Sequence, residues 1–156
     1  MLYDLSFRDS FGSEVSLADF RGKVLLLVNT ATKCGLAPQF KELEKLYLDY
    51  KNKGLIVVGF PSDTFAQEPE SNETVAGVCE VNFGVTFMLS EKIDVNGLNT
   101  HPVFTYLKEH SNSALGKDIK WNFTKFLVSK DGKTIRRYAP TTKPKKLRTT
   151  IEQLLS

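Results

Sequence analysis

Two continuous apolar runs enclose a helical pattern, and together they restrict this chain to one class of fold. Val24 to Val28 (VLLLV) and Leu55 to Phe60 (LIVVGF) do not alternate between apolar and polar residues. Such runs fit strands covered on both faces better than strands with one face in water. Between them, from Pro38 onward, Phe40, Leu43, Leu46, Tyr47 and Tyr50 recur at helical spacing among lysines and glutamates, until Gly54 ends the pattern. A strand, an amphipathic helix and a second strand in so short a span make the unit that pairs two parallel strands through a right-handed crossover. The chain is therefore α/β.

The remaining segments extend this unit. Short alternating pieces around Phe11-Gly12 predict an N-terminal β-hairpin, followed by a turn at Arg21-Gly22. Val75, Val78 and Cys79 predict a second helix with Ser71 or Asn72 as its cap, and Pro102 opens a third through Val103, Phe104 and Leu107. Apolar segments around Asp131-Gly132 predict a hairpin with a type I′ turn, and Pro144 opens a last helix with Leu147, Ile151, Leu154 and Leu155 on one face. A βαβ half, a connecting helix and a ββα half suit a central mixed sheet flanked by helices, the thioredoxin-like arrangement. With no repeat or linker, residues 1–156 are expected to form a single domain.

Composition narrows the function. A net charge of +3 over 156 residues provides no footprint for nucleic acid, and the lysines and arginine of Lys143, Lys145, Lys146 and Arg148 read as a solvated helix face. The start, MLYDLSFRDS, lacks the basic and apolar parts of a signal peptide, and no apolar run approaches the ~18 residues of a membrane span, so a cytoplasmic protein is expected. Cys34 and Cys79, with only His101 and His110, offer no metal-ligand spacing. A disulfide between the two cysteines would be one that is made and broken rather than structural.

Cys34 follows the first buried strand and precedes the first helix, at the strand ends where open α/β folds place their sites. Helix amides favour a thiolate and can bring a cysteine pKa from about 8.5 to between ~3.5 and 7.5. At pH 7 a pKa of about 6 raises the thiolate share from roughly 3% to about 90%. Free cysteines are equally among the most buried and inert residues, so position alone leaves core filling and nucleophile both open. Cys34-Gly35-Leu36-Ala37 has no second cysteine, which excludes a C-x-x-C dithiol.

Five blocks, NTATKCGLAPQF (29–40), FAQEP from Phe65 to Pro69, IDVNG (93–97), KWNF (120–123) and APTTKP (139–144), resemble in order and spacing the signature blocks of the glutathione peroxidase family. The resemblance implies a peroxidase whose nucleophile is Cys34, assisted by Gln67, Trp121 and Asn122. Amide and indole N–H groups are neutral donors that suit a thiolate and a peroxide oxygen. It further implies oxidation of Cys34 to a sulfenic acid by hydrogen peroxide or by organic or lipid hydroperoxides. Cys79 stands where short members of the family carry a resolving cysteine. The family's larger tetrameric members have an insertion that this chain lacks, so a monomer recycled by thioredoxin is implied, with no cofactor beyond the reducing co-substrate. Two alternatives are a one-cysteine enzyme reduced by glutathione and a peroxide sensor that passes oxidation to a partner protein. The chain departs from the family pattern at Ser62, Asp63 and Thr64, in a segment one residue shorter before Gln67, and at Met88, where proline is usual.

Overall fold

The computed structural model describes residues 1–68, 71–113 and 116–156; Pro69, the end of the FAQEP block, lies outside the described residues. A two-stranded antiparallel hairpin, β1 (Ser6–Arg8) with β2 (Glu14–Ser16), precedes a five-stranded mixed sheet. The sheet contains β3 (Val24–Thr30), β4 (Leu55–Pro61), β5 (Met88–Leu89), β6 (Lys125–Val128) and β7 (Ile135–Tyr138), in the order β5-β4-β3-β6-β7. β3 and β4 are parallel and fully paired from Val24↔Leu55 to Thr30↔Pro61, with α1 (Gln39–Tyr50) between them in the chain. The expected βαβ unit is thus the centre of the sheet. Every residue of β3 is buried, which its continuous apolar run required.

Alternate residues of the strands feed two cores. Val24, Leu26 and Val28 meet α1, the buried Val75 and Cys79 of α2 (Asn72–Phe83), and Ile151 of α4 (Arg148–Leu155). Leu25 and Leu27 face the opposite way, toward Phe104 and Leu107 of α3 (Pro102–Glu109) and Phe7 of the N-terminal hairpin. Helices therefore cover both faces, in a thioredoxin-like fold. The last helix begins as a 3-10 turn at Pro144–Leu147 and is tied to α1 by Arg148, whose guanidinium reaches Asp49 at 2.8 Å and the Tyr50 hydroxyl at 3.0 Å. Arg148 is thus a structural tie, and it no longer belongs with the solvated lysines beside it. Among the described residues no helix is long and apolar enough to cross a membrane.

The expected type I′ turn needs correction. The β6–β7 hairpin forms, but the Gly132 N–H bonds to the Ser129 carbonyl at 2.9 Å, so Lys130 and Asp131 are the central pair. Only Gly132 takes a positive φ, of 72°. Asp131 is held by its own side chain, which accepts from Ser129 Oγ at 2.6 Å and from the Lys133 N–H at 3.0 Å, so the left-handed residue moves one place on. The two-residue β5 is too short to leave a sequence pattern. Met88 opens it at the sheet edge, a position where proline and methionine are both tolerated. Helix α1 begins at Gln39, beside the expected Pro38, and Cys34 precedes it through a chain of turns in which the Ala37 N–H bonds to the Cys34 carbonyl at 3.0 Å.

Candidate active site

Strand register brings three distant segments to one end of the sheet. β3 ends at Thr30 and leads directly to Cys34, while its parallel neighbour β4 ends at Pro61 and leads to Gln67 at the same end. β6 is antiparallel to β3, with Val28 opposite Lys125, so the residues just before β6 also arrive there. Those residues include Trp121 and Asn122.

Cys34 is 6% exposed, a free thiol in the core cluster shared by α1 and α2, and the Leu36 N–H points at its sulfur at 3.4 Å. The Gln67 loop is stitched to it through the backbone, since the Lys33 N–H bonds to the Gln67 carbonyl at 3.0 Å. Gln67 Nε2 donates to the adjacent Ala66 carbonyl at 3.4 Å rather than to the Cys34 sulfur. The structure therefore brings the two loops together but leaves the Gln67 side chain turned aside. Ser62, Asp63 and Thr64, the departures from the family pattern, build the turn that delivers this loop. The Ser62 and Thr64 hydroxyls bond at 2.8 Å, and Asp63 Oδ1 accepts the Glu68 N–H at 2.9 Å.

Trp121 is 38% exposed rather than a core aromatic, and its ring lies 5.2 Å from that of Phe65, which joins it to the Gln67 loop. Asn122 is fully buried, and neither its Nδ2 nor its Oδ1 has a hydrogen-bond partner. Leaving buried polar atoms unpaired costs about 1–3 kcal/mol each, so an idle amide at this position calls for a reason. Thr30 Oγ1 and Gln39 Oε1, at the same end of the sheet, are also buried without partners. Backbone strain gathers here as well. Ala66 (φ 56°) and Phe123 (φ 66°) are the non-glycine residues with positive φ among those described, and each adjoins a sequence-predicted site residue. Such conformations cost of order 1–3 kcal/mol and persist only where surrounding contacts impose them.

Three positions that sequence reasoning missed impose this arrangement. Asn29, at the end of β3, accepts the Phe123 N–H at 2.7 Å and, through Oδ1, the Thr124 N–H at 3.1 Å, while its Nδ2 donates to the Trp121 carbonyl at 3.2 Å. A polar residue ending a wholly buried strand was the only available signal. Glu68, fully buried, accepts both the N–H and the hydroxyl of Thr32 at 2.6 Å each, locking the Gln67 loop beside the Cys34 turn. Lys125 is fully buried, with Nζ donating to the carbonyls of Ala139 (3.3 Å) and Pro140 (2.8 Å). Burial pushes its ammonium down to about 7, against the opposing pull of Glu42. A cleft of about 260 Å³ beside this turn is lined by Lys120, Thr124, Arg137 and Pro140 among others.

Cys79 sits on α2, fully buried and free, in the same core cluster as Cys34. Burial pushes its thiol up to about 12, with the Glu68 carboxylate adding to the effect. It is a protonated core thiol in this conformation. Among the described residues no group of three or more His, Cys, Asp and Glu side chains is gathered to hold a metal ion.

Similarity to known proteins extends over nearly the whole chain. The family model for "Glutathione peroxidase" matches residues 2–108. "Glutathione peroxidase" of Lactococcus lactis subsp. cremoris is 47% identical over 154 residues, covering 98% of each chain. "Glutathione peroxidase-like peroxiredoxin 2" of Saccharomyces cerevisiae is 48% identical over 156 residues, covering 99% of this chain and 96% of its own. Among solved structures, the crystal structure of Trgpx in apo form superimposes with a TM-score of 0.81 at 37% identity, covering 99% of this chain and 95% of the other.

Proposed function

The chain belongs to the glutathione peroxidase family and is a thiol peroxidase, and from that premise we propose that Cys34 is its nucleophile and Cys79 its resolving cysteine. The Cys34 thiolate attacks the terminal oxygen of a hydroperoxide, the O–O bond breaks, and the sulfur is oxidised to a sulfenic acid as the peroxide is reduced to an alcohol or water. The departing oxygen takes up a proton. Gln67, Trp121 and Asn122 act as neutral donors that orient the peroxide and meet the charge developing on that oxygen. The observation that supports this most directly is the buried, unpartnered amide of Asn122: a donor prepaid for a ligand serves the transition state without reorganisation.

Cys79 then condenses with the sulfenic acid to give a disulfide, which thioredoxin reduces. Sulfur is the redox centre throughout, so no bound cofactor is required. We further propose that residues 1–156 act as one domain, as a monomer in the cytoplasm, where the disulfide can be reopened. The deep burial of Cys79 favours a second reading, in which Cys34 works alone and glutathione reduces it. One coupled assay of NADPH consumption separates them. With thioredoxin and its reductase, wild type should turn over hydrogen and organic hydroperoxides, and both Cys34→Ser and Cys79→Ser should lose turnover. If Cys79→Ser retains wild-type turnover with glutathione, the second reading holds.

A further inference from the structure

We propose that Gly77, in the middle of α2, sets the rate at which Cys79 reaches oxidised Cys34; this rests on the resolving role given above to Cys79. In the resolving step the Cys34 S–O bond breaks and a Cys34–Cys79 S–S bond forms. The Cys79 sulfur is oxidised, the Cys34 sulfur is reduced, and the thiol proton leaves with the hydroxide as water. A disulfide needs Cα atoms within about 7 Å and Cβ vectors that face each other. Cys79 is fully buried within α2 and held protonated there, so its thiolate forms and turns toward Cys34 only as α2 opens.

The helix is built to open in its middle. Its ends are well finished: Ser71 Oγ accepts the Thr74 N–H at 3.3 Å, and Gly84, in the left-handed conformation, returns its N–H to the carbonyls of Cys79 and Glu80. It buries Val75 and Cys79 and is held at its ends, where Phe83 lies 5.0 Å from the Phe40 ring and Asn72 Oδ1 accepts the Lys92 N–H at 2.8 Å, while Val81 is 82% exposed. Gly77 stands two residues before Cys79, solvent-exposed and without a positive φ, and a methyl group placed on it would meet nothing within 4 Å. Neither packing nor backbone geometry therefore requires glycine here. What glycine does at an exposed helix interior is lower the helix's stability against the unwound chain.

Gly77→Ala supplies the test. Relative to alanine, glycine raises the unwound population about fivefold, which is the helix-propensity difference of ~1 kcal/mol converted at room temperature. Stopped-flow oxidation with hydrogen peroxide, with sulfenic acid trapped by dimedone and disulfide counted by mass spectrometry, reads the two steps apart. Expected for Gly77→Ala is an unchanged rate of Cys34 oxidation, disulfide formation slowed about fivefold, and α2 amides more protected from hydrogen exchange. Gly77→Ser should fall between glycine and alanine. Disulfide formation within twofold of wild type in Gly77→Ala, with the Cys34–Cys79 disulfide still forming, overturns the proposal and leaves the resolving role intact. Absence of any Cys34–Cys79 disulfide in the wild type overturns both.

Discussion

Thiol labelling of the reduced protein puts the burial of Cys79 to a quantitative test. The thiolate is the reacting species, so alkylation by iodoacetamide follows its population. At pH 8 an ordinary cysteine with a pKa of about 8.5 is roughly a quarter thiolate. With its thiol held up at about 12, Cys79 in the folded protein is ionised to about one part in ten thousand. Charge alone therefore slows labelling through the folded state about two-thousandfold, and full burial adds to this. Faster labelling must pass through molecules in which α2 has opened, where the thiol regains its ordinary pKa. The expected result is a Cys79 rate at least a hundredfold below that of the same residue in urea, followed peptide by peptide by mass spectrometry. A rate within tenfold of the unfolded chain would refute the reasoning. The same shift has a sign for stability. The folded pKa lies above the unfolded one, so the native state keeps a proton that the unfolded chain releases; the stabilisation is complete below about pH 8.5 and is lost as pH rises toward about 12.

Asn122→Leu removes an amide that has no partner in the resting protein, so urea unfolding should show stability unchanged within about 1 kcal/mol or raised, while kcat/KM for peroxide falls about a hundredfold. Glu68→Gln loses the charge in two bonds to Thr32 and one source of the raised Cys79 thiol; a destabilisation of about 2 kcal/mol by urea titration and faster labelling of Cys79 should appear together. Lys125 is held at about 7 against an ordinary value of ~10.4, so between these pH values the unfolded chain binds a proton that the folded chain lacks, and this residue's contribution to stability rises with pH across that window, opposing that of Cys79 above about pH 8.5. Lys125→Met should flatten that slope by up to about 1.4 kcal/mol per pH unit, measured by urea unfolding from pH 6.5 to 9.5.

Much of the site could be read from the chain because its residues occupy short blocks whose order survives in the sequence. The Cys34 turn, the Gln67 loop and the Trp121–Asn122 turn were all named in advance, and strand register carries them to one end of the sheet. The residues that hold them there were not. Asn29 grips backbone groups of residues 121, 123 and 124, partners more than ninety positions away, and nothing local to NTATKC reports that contact. Lys125 reads as a polar residue of a strand, and only the approach of the Ala139–Pro140 carbonyls explains how its ammonium is buried.

The α/β class, the parallel β3–β4 pair, the amphipathic α1 and the suspicion on Cys34 followed from the sequence, because periodicity, apolar runs and the place of a cysteine between a strand and a helix are local properties of a chain. The tertiary structure decided the shifted turn at Asp131-Gly132, the tie made by Arg148, the idle amide of Asn122 and the sealed thiol of Cys79. Each depends on what lies across the fold: hydrogen-bond partners, burial and strain are set by neighbours in space. For NTATKC, the proposed function turns the question of filler or nucleophile into one of delivery: Cys34 stands at the strand ends, while Cys79, the resolving thiol proposed for it, is sealed inside α2.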